Sequence, residues 1–156
     1  MGFVIFFFLA WLIVSLFVVI KKKLTFAENT LVFLVVLIVS INFSWIVIEE
    51  LELIKLTRSS LGYTGFILNR SIIIPILSVI HVNLLLWCHS LLMKIILFVS
   101  VVMILIGISS LANFNDITEF KHWNYWYDGI YFFILNGMAI FSYKLYTRAS
   151  RNVVSY

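Results

Sequence analysis

A few polar side chains interrupt the long apolar runs of this sequence, and they are its first candidates for chemistry. On a helix, residues seven apart point within about 20° of each other, and so do residues eleven apart. Asn42 and Glu49 therefore share one helical stripe. Arg70 and His81 share a second, and Asn136 lies in the last apolar run. Polar groups are costly in a bilayer, so we expect all five to face a neighbouring helix or a cavity.

Two interpretations of this predicted polar interior stay open. Polar side chains often hydrogen-bond across membrane helices, each pair contributing roughly 0.6 kcal/mol on average. Alternatively, Asn42, His81 and Asn136 form a polar site or a proton path at mid-depth, because an ordinary histidine titrates near neutral pH.

The histidines and the single cysteine do not have the spacing of a metal site. His81 and Cys88 are about 10 Å apart along a helix axis, too far for one ion with bonds near ~2 Å. His89 lies about 80° around the helix from that pair. A haem with two histidine ligands needs two mid-membrane histidines, and the sequence has one. The remaining haem interpretation is therefore a haem shared between two protomers. The common nucleophile, metalloprotease and phosphate-loop motifs do not occur either, so we predict no cofactor, no metal and no catalytic residue.

The densest aromatic cluster of the chain precedes and opens the last apolar run. It contains His122, Trp123, Asn124, Trp126 and Asp128. Trp and Tyr rings favour the membrane interface, so an interfacial belt is one interpretation. An aromatic-lined ligand pocket is the other. An enzyme would instead bring Asp116 and Glu119 together with the histidine of the cluster in an outer cleft.

The composition excludes a water-soluble domain. The 156 residues are 63% hydrophobic and 12% charged, whereas soluble domains are about 45–50% apolar and about 25% charged. Five apolar stretches have the roughly 20 residues that a membrane helix needs. The sequence therefore predicts an all-α integral membrane helical bundle, one domain over residues 1–156, with spans at about 3–20, 31–48, 71–92, 95–111 and 125–143.

Several local features are expected between and within these spans. Residues 49–56 have the spacing of an interfacial helix, and Gly62 and Gly65 are expected to break it with a turn over residues 61–65. Residues 113–124 are expected to form another turn. Pro75 is expected to kink the third span. Ser100 and Gly107, with Met103 and Ser110, form a seam on the fourth span that would allow a helix partner to approach.

The distribution of Lys and Arg predicts the orientation in the membrane. The basic loops are expected in the cytoplasm, which places the N-terminus outside and the C-terminus inside. Each of these cations adjoins a span end, so they are interpreted as topology signals near lipid headgroups and not as a nucleic-acid site. The cations of this face are Lys21, Lys22, Lys23, Lys94, Lys144, Arg148 and Arg151.

The C-terminal third carries a resemblance to a known family. The run from Trp123 to Tyr127, the aromatic span containing Asn136, and Tyr143-Lys144 resemble the ending of an uncharacterised multi-pass membrane family of Bacillus and Clostridium relatives. Members of that family have a Trp-Asn-x-Trp-Trp-like motif, in which Tyr127 here replaces the second Trp. The resemblance implies a bacterial plasma-membrane protein of unassigned function and transfers no catalytic residue.

Three functional hypotheses follow from these observations. The first is a non-catalytic sensor, accessory or assembly subunit, whose partners are the bilayer and a second membrane protein or a copy of itself. The second is an oligomeric transporter or channel component with a path through Asn42, His81 and Asn136. The third is an intramembrane enzyme with an outer acidic and aromatic cleft.

Overall fold

Within residues 2–153 the chain folds into five continuous helices and one short pair of strands. The computed structural model describes residues 2–153, and the side chains of residues 151–153, including the cation of Arg151, lie outside that description. The elements are α1 (Gly2–Val19), α2 (Phe26–Trp45), a π-helical turn (Ile46–Glu50), β1 (Ile54–Leu56), α3 (Ser60–Leu68), a second π-helical turn (Asn69–Ile73), α4 (Ile74–Leu85), α5 (Leu91–Phe114), β2 (Thr118–Phe120) and α6 (Tyr125–Val153). The first π-helical turn extends α2 and the second joins α3 to α4. The predicted all-α helical bundle is confirmed.

Successive helices run in opposite directions, so the bundle has two chemically different ends. The basic end carries Lys21, Lys22, Lys23, Lys94 and Lys144, and the aromatic end carries β1, β2, Trp123 and Asp128. At the basic end, the Trp87 Nε1–H after α4 donates to the Lys21 carbonyl after α1, at 3.3 Å. Thr147 near the end of α6 donates to Glu28 at the start of α2, at 3.3 Å. The last helix therefore runs the full height of the bundle.

Within residues 2–153, four of the five helices are long and apolar enough to cross a membrane. They cover Gly2–Val19, Phe26–Glu50, Ser60–Leu85 and Leu91–Phe114. The fifth helix, α6, has 29 residues, and its sequence includes Asp128 and Asn136, which lower its hydropathy. The start of α2, five residues before the predicted span, is fixed by a capping box in which Thr25 and Glu28 hydrogen-bond to each other's backbone.

The turn expected over residues 61–65 is wrong, because this segment belongs to helix α3. Its glycines allow close packing here and do not break the helix. A Cβ on Gly65 would lie 3.3 Å from Ile117 Cδ1 and 3.6 Å from the Cα of Phe3 in α1. A Cβ on Gly62 would lie 2.6 Å from Thr57 Cγ2. Consequently the third candidate membrane helix begins about a dozen residues before the predicted span and ends at Leu85.

The prediction of an interfacial helix over residues 49–56 is also wrong beyond Glu50. Residues 54–56 form β1, which pairs antiparallel with β2 inside the segment expected to be a plain turn. Lys55 lies opposite Glu119 in this pair. The strand pair packs against the aromatic end of the bundle, since Thr118 of β2 and the preceding Ile117 are buried. Pro75 is the second residue of α4. The π-helical turn of residues 69–73 directly precedes this helix.

Candidate binding site at the aromatic end

Asp128 is a buried carboxylate at the start of α6, with 5% of its surface exposed. Ser109 Oγ of α5 donates to one carboxylate oxygen at 2.6 Å. Trp123 Nε1–H, in the loop before α6, donates to the other at 2.7 Å. A carboxylate in the first turn also interacts favourably with the helix dipole. Asp128 therefore fixes the indole of Trp123 and joins α5 to α6.

Unpaired polar atoms collect around a cavity of about 80 Å³ next to this carboxylate. Among the described residues, six buried side-chain polar atoms have no hydrogen-bond partner. Three of them, Asn69 Oδ1, Thr118 Oγ1 and Tyr131 OH, belong to residues that line this cavity. A fourth, Arg70 Nε, is on the residue after Asn69. We call this cavity the polar chamber.

The π-helical turn of residues 69–73 carries two of these four residues, of which Asn69 lines the chamber. A π-helical turn adds one residue to a helix locally, and such turns are frequent at functional sites. It carries Asn69 and Arg70 directly before the buried α4. The Arg70 guanidinium also lies 5.2 Å from the centre of the Phe66 ring. Buried polar atoms are normally paired, so a concentration of unpaired ones indicates a place for a polar ligand group or water.

An apolar groove of about 250 Å³ runs along the outside of the chamber, between α2 and α6. Phe43, Trp123 and Tyr131 line both the groove and the chamber. Phe43 and Tyr131 are stacked, with ring centroids 3.9 Å apart and an interplanar angle of 9°. Further along, the groove is lined by Val39 of α2 and Ile134 of α6. We call it the aromatic groove. The groove and the chamber therefore lie side by side, with these shared side chains between them.

His81 and Asn136 meet in the middle of the bundle, as the sequence suggested for two members of the polar set. Both are fully buried, and His81 Nδ1 lies 2.9 Å from Asn136 Oδ1. Because the Asn136 amide nitrogen already donates to the Phe132 carbonyl, its oxygen accepts and His81 Nδ1 carries the proton. His81 Nε2 has no partner in the described part of the chain, and the Phe98 ring packs edge-on against the imidazole. Of the two interpretations of the polar interior, this arrangement favours the structural one, in which a hydrogen bond joins α4 to α6 in an apolar surrounding.

The other predicted interior residues are not brought to that pair. Asn42 lies on the exposed side of α2, where its amide donates to the Ile38 carbonyl of the same helix at 2.8 Å. Glu49 is exposed at the aromatic end. Arg70 lies in the π-helical turn, next to the chamber residue Asn69, and not beside the His81–Asn136 pair. The predicted path through Asn42, His81 and Asn136 is therefore not assembled within one chain.

The aromatic cluster divides into two groups. Trp123 and Asp128 turn inward, as the pocket interpretation requires, whereas His122, Asn124 and Trp126 are exposed. Asp116 and Glu119 are exposed and line one outer cleft with Lys55 and Arg58, but neither His122 nor Asp128 is in its lining, so the cluster that the enzyme hypothesis needs is not brought together. Within the described residues, no three His, Cys, Asp or Glu side chains are placed to hold a metal ion.

A second buried polar network, at the basic end, was missed from the sequence. Asn83 Oδ1 accepts from the backbone N–H groups of Lys23 and Leu24, at 2.9 and 3.1 Å. Its amide nitrogen donates to Asn29 Oδ1 at 2.8 Å. Asn29 in turn donates to the carbonyls of Leu24 and Thr25. One sequence signal existed, since Asn83 lies two residues after His81 in an apolar run, but the loop that it anchors is about sixty residues away.

No protein-family model, curated protein or solved structure matches this chain. The resemblance of its C-terminal third to a membrane family therefore stays a prediction, and the geometry carries the functional argument.

Proposed function

We propose that this chain is a non-catalytic membrane sensor or accessory subunit that binds a slender amphiphile at its aromatic end. One observation carries the proposal: the polar chamber and the aromatic groove share Phe43, Trp123 and Tyr131. An amphiphile can therefore place its polar head in the chamber and its hydrocarbon chain in the groove. Binding sites commonly combine an apolar lining with a few placed polar groups in this way.

The size of the chamber limits the head group to a few heavy atoms. Its volume of about 80 Å³ holds a few water molecules or a group of similar size. The unpaired lining atoms offer hydroxyl donors at Tyr131 and Thr118 and an acceptor at Asn69. This mixture fits a hydroxyl or a carboxylic acid, which both donate and accept. A phosphocholine head is too large for it.

We infer that all five helices cross the membrane, with the basic end in the cytoplasm of a bacterial plasma membrane. The contact between Thr147 and Glu28 supports a full crossing by α6, and the lysines of the basic end follow the positive-inside rule. Cys88, which lies between α4 and α5 and is partly exposed, tests this topology. A membrane-impermeant maleimide is expected to label it in inside-out vesicles, and labelling in right-side-out vesicles contradicts the orientation.

Tryptophan fluorescence tests the proposed site directly. In a variant that retains Trp123 as its single tryptophan, a long-chain alcohol brominated at its far end is expected to quench the emission with a saturable dependence on concentration. The matched control retains only Trp11, which is 63% exposed on α1. Its quenching should rise in proportion to the probe in the membrane. Identical, non-saturable curves for the two variants contradict the proposal.

A further inference from the structure

A second groove opens at the basic end, and its lining residue Phe98 packs against the His81 imidazole. It lies between α4, α5 and α6 and has a volume of about 490 Å³. Its walls are apolar, with Leu86, Val99 and Ile140 among them. Phe98 and Phe133 also line it and pack against each other edge to face, with centroids 5.1 Å apart. We call it the lysine groove, after the two lysines described next.

Two cations stand in the lining of this groove. Lys94 belongs to the first turn of α5 and Lys144 to α6, and both are exposed. Neither forms an ion pair with another described side chain, and the groove lining contains no carboxylate. Tyr143 is on the same lining. The lining therefore combines positive charge with a long apolar surface.

The start of α5 adds to the positive potential of this groove. Ser90, the N-cap residue, makes no side-chain capping hydrogen bond, and Leu91 of the first turn lines the groove. The first backbone N–H groups of a helix lack partners within the helix and favour a nearby anion. A lysine in a first turn is unfavourable for the helix dipole, and an anion beside it removes that penalty.

We propose that the lysine groove is a specific site for an anionic phospholipid, with the phosphate held by Lys94 and Lys144 and one acyl chain lying against Phe98 and Phe133. Basic pockets between membrane helices on the cytoplasmic side are typical sites for anionic lipid heads. Charge complementarity favours this occupant over a second copy of the chain, whose lipid-facing surface here is apolar or positive. The site is independent of the proposed amphiphile site, because it lies at the opposite end of the bundle.

Native mass spectrometry of the full chain tests this proposal with two defined lipids, phosphatidylglycerol and phosphatidylcholine. Each lysine near an anionic lipid contributes roughly a factor of five to binding, so replacing both should weaken phosphatidylglycerol binding about 30-fold. The test variant is Lys94→Gln with Lys144→Gln. The matched control is Arg148→Gln, one turn further along α6 and outside the groove lining, which should bind as the wild type does.

Two more variants separate the charge from the groove. Lys94→Arg with Lys144→Arg keeps the charges and should retain most of the binding, which also shows that these positions tolerate substitution. Ile140→Trp fills the groove and should lower binding at least tenfold with both lysines present. Three results overturn the proposal. The protein could retain phosphatidylcholine as well as phosphatidylglycerol, or Arg148→Gln could lose as much binding as the double Gln variant. Inorganic phosphate could also displace the lipid at equal concentration.

Discussion

Replacing Tyr131 by Phe is expected to have opposite effects on the free and the ligand-bound protein. The ring keeps its stack on Phe43, and only the hydroxyl is lost. That hydroxyl is buried and, although the Ser40 side chain is close to it, makes no hydrogen bond of ordinary geometry with the described residues; such a group destabilises a fold by about 1–3 kcal/mol. Tyr131→Phe should therefore raise the free energy of unfolding of the ligand-free protein by about 1 kcal/mol.

In the bound state the same hydroxyl is expected to hydrogen-bond to the head group of the amphiphile. A hydrogen bond of this kind contributes about 0.5–1.5 kcal/mol, so the variant should bind a long-chain alcohol roughly two to ten times more weakly. Unfolding titrations in micelles, with and without the alcohol, measure both effects. The control is Tyr125→Phe, whose hydroxyl is exposed and accepts from Asn113 at 3.2 Å. Destabilisation of the ligand-free Tyr131→Phe protein would refute the reasoning, because the hydroxyl would then have a protein partner.

Two further predictions concern packing and the loop at the basic end, and thermal unfolding in micelles measures both. Asn83→Ala leaves two backbone N–H groups of the α1–α2 loop unpaired and should cost about 2–4 kcal/mol, whereas Asn42→Ala, on the exposed side of α2, should change stability by less than about 0.5 kcal/mol. Gly65→Val should destabilise by about 1–3 kcal/mol through overpacking against α1, and Gly107→Val should be close to neutral because a Cβ there meets no atom within 4 Å. Equal effects within either pair would contradict the packing described.

The sequence predicts the helices well because each helix coincides with a local apolar run. It was a poor guide wherever a distant partner decides the structure. β1 and β2 have three residues each and lie about sixty residues apart, so neither shows a strand pattern that outweighs its loop composition. Gly65 was interpreted as a helix breaker, although its role is set by the approach of α1, which local sequence does not record.

The candidate site shows the same division. Aromatic density drew attention to Trp123 and Asp128, and both line the chamber. Thr118 and Tyr131 were not singled out, because hydroxyl groups are common and only their burial without partners makes them notable. Helical spacing grouped Asn42 with Glu49, but spacing gives no information about which face of a helix meets the bundle. Three-dimensional packing alone decides that point.

The most direct test of the account is to identify what the protein retains when it is extracted in native lipid patches. Ile134→Trp blocks the aromatic groove at a position that is 54% exposed on α6, and Ile104→Trp makes the same change at 51% exposure on α5. Mass spectrometry should find a small-headed amphiphile enriched with the wild type and with Ile104→Trp, and at least tenfold depleted with Ile134→Trp. Retention of the same lipids in equal amounts by all three proteins would contradict the proposed binding function.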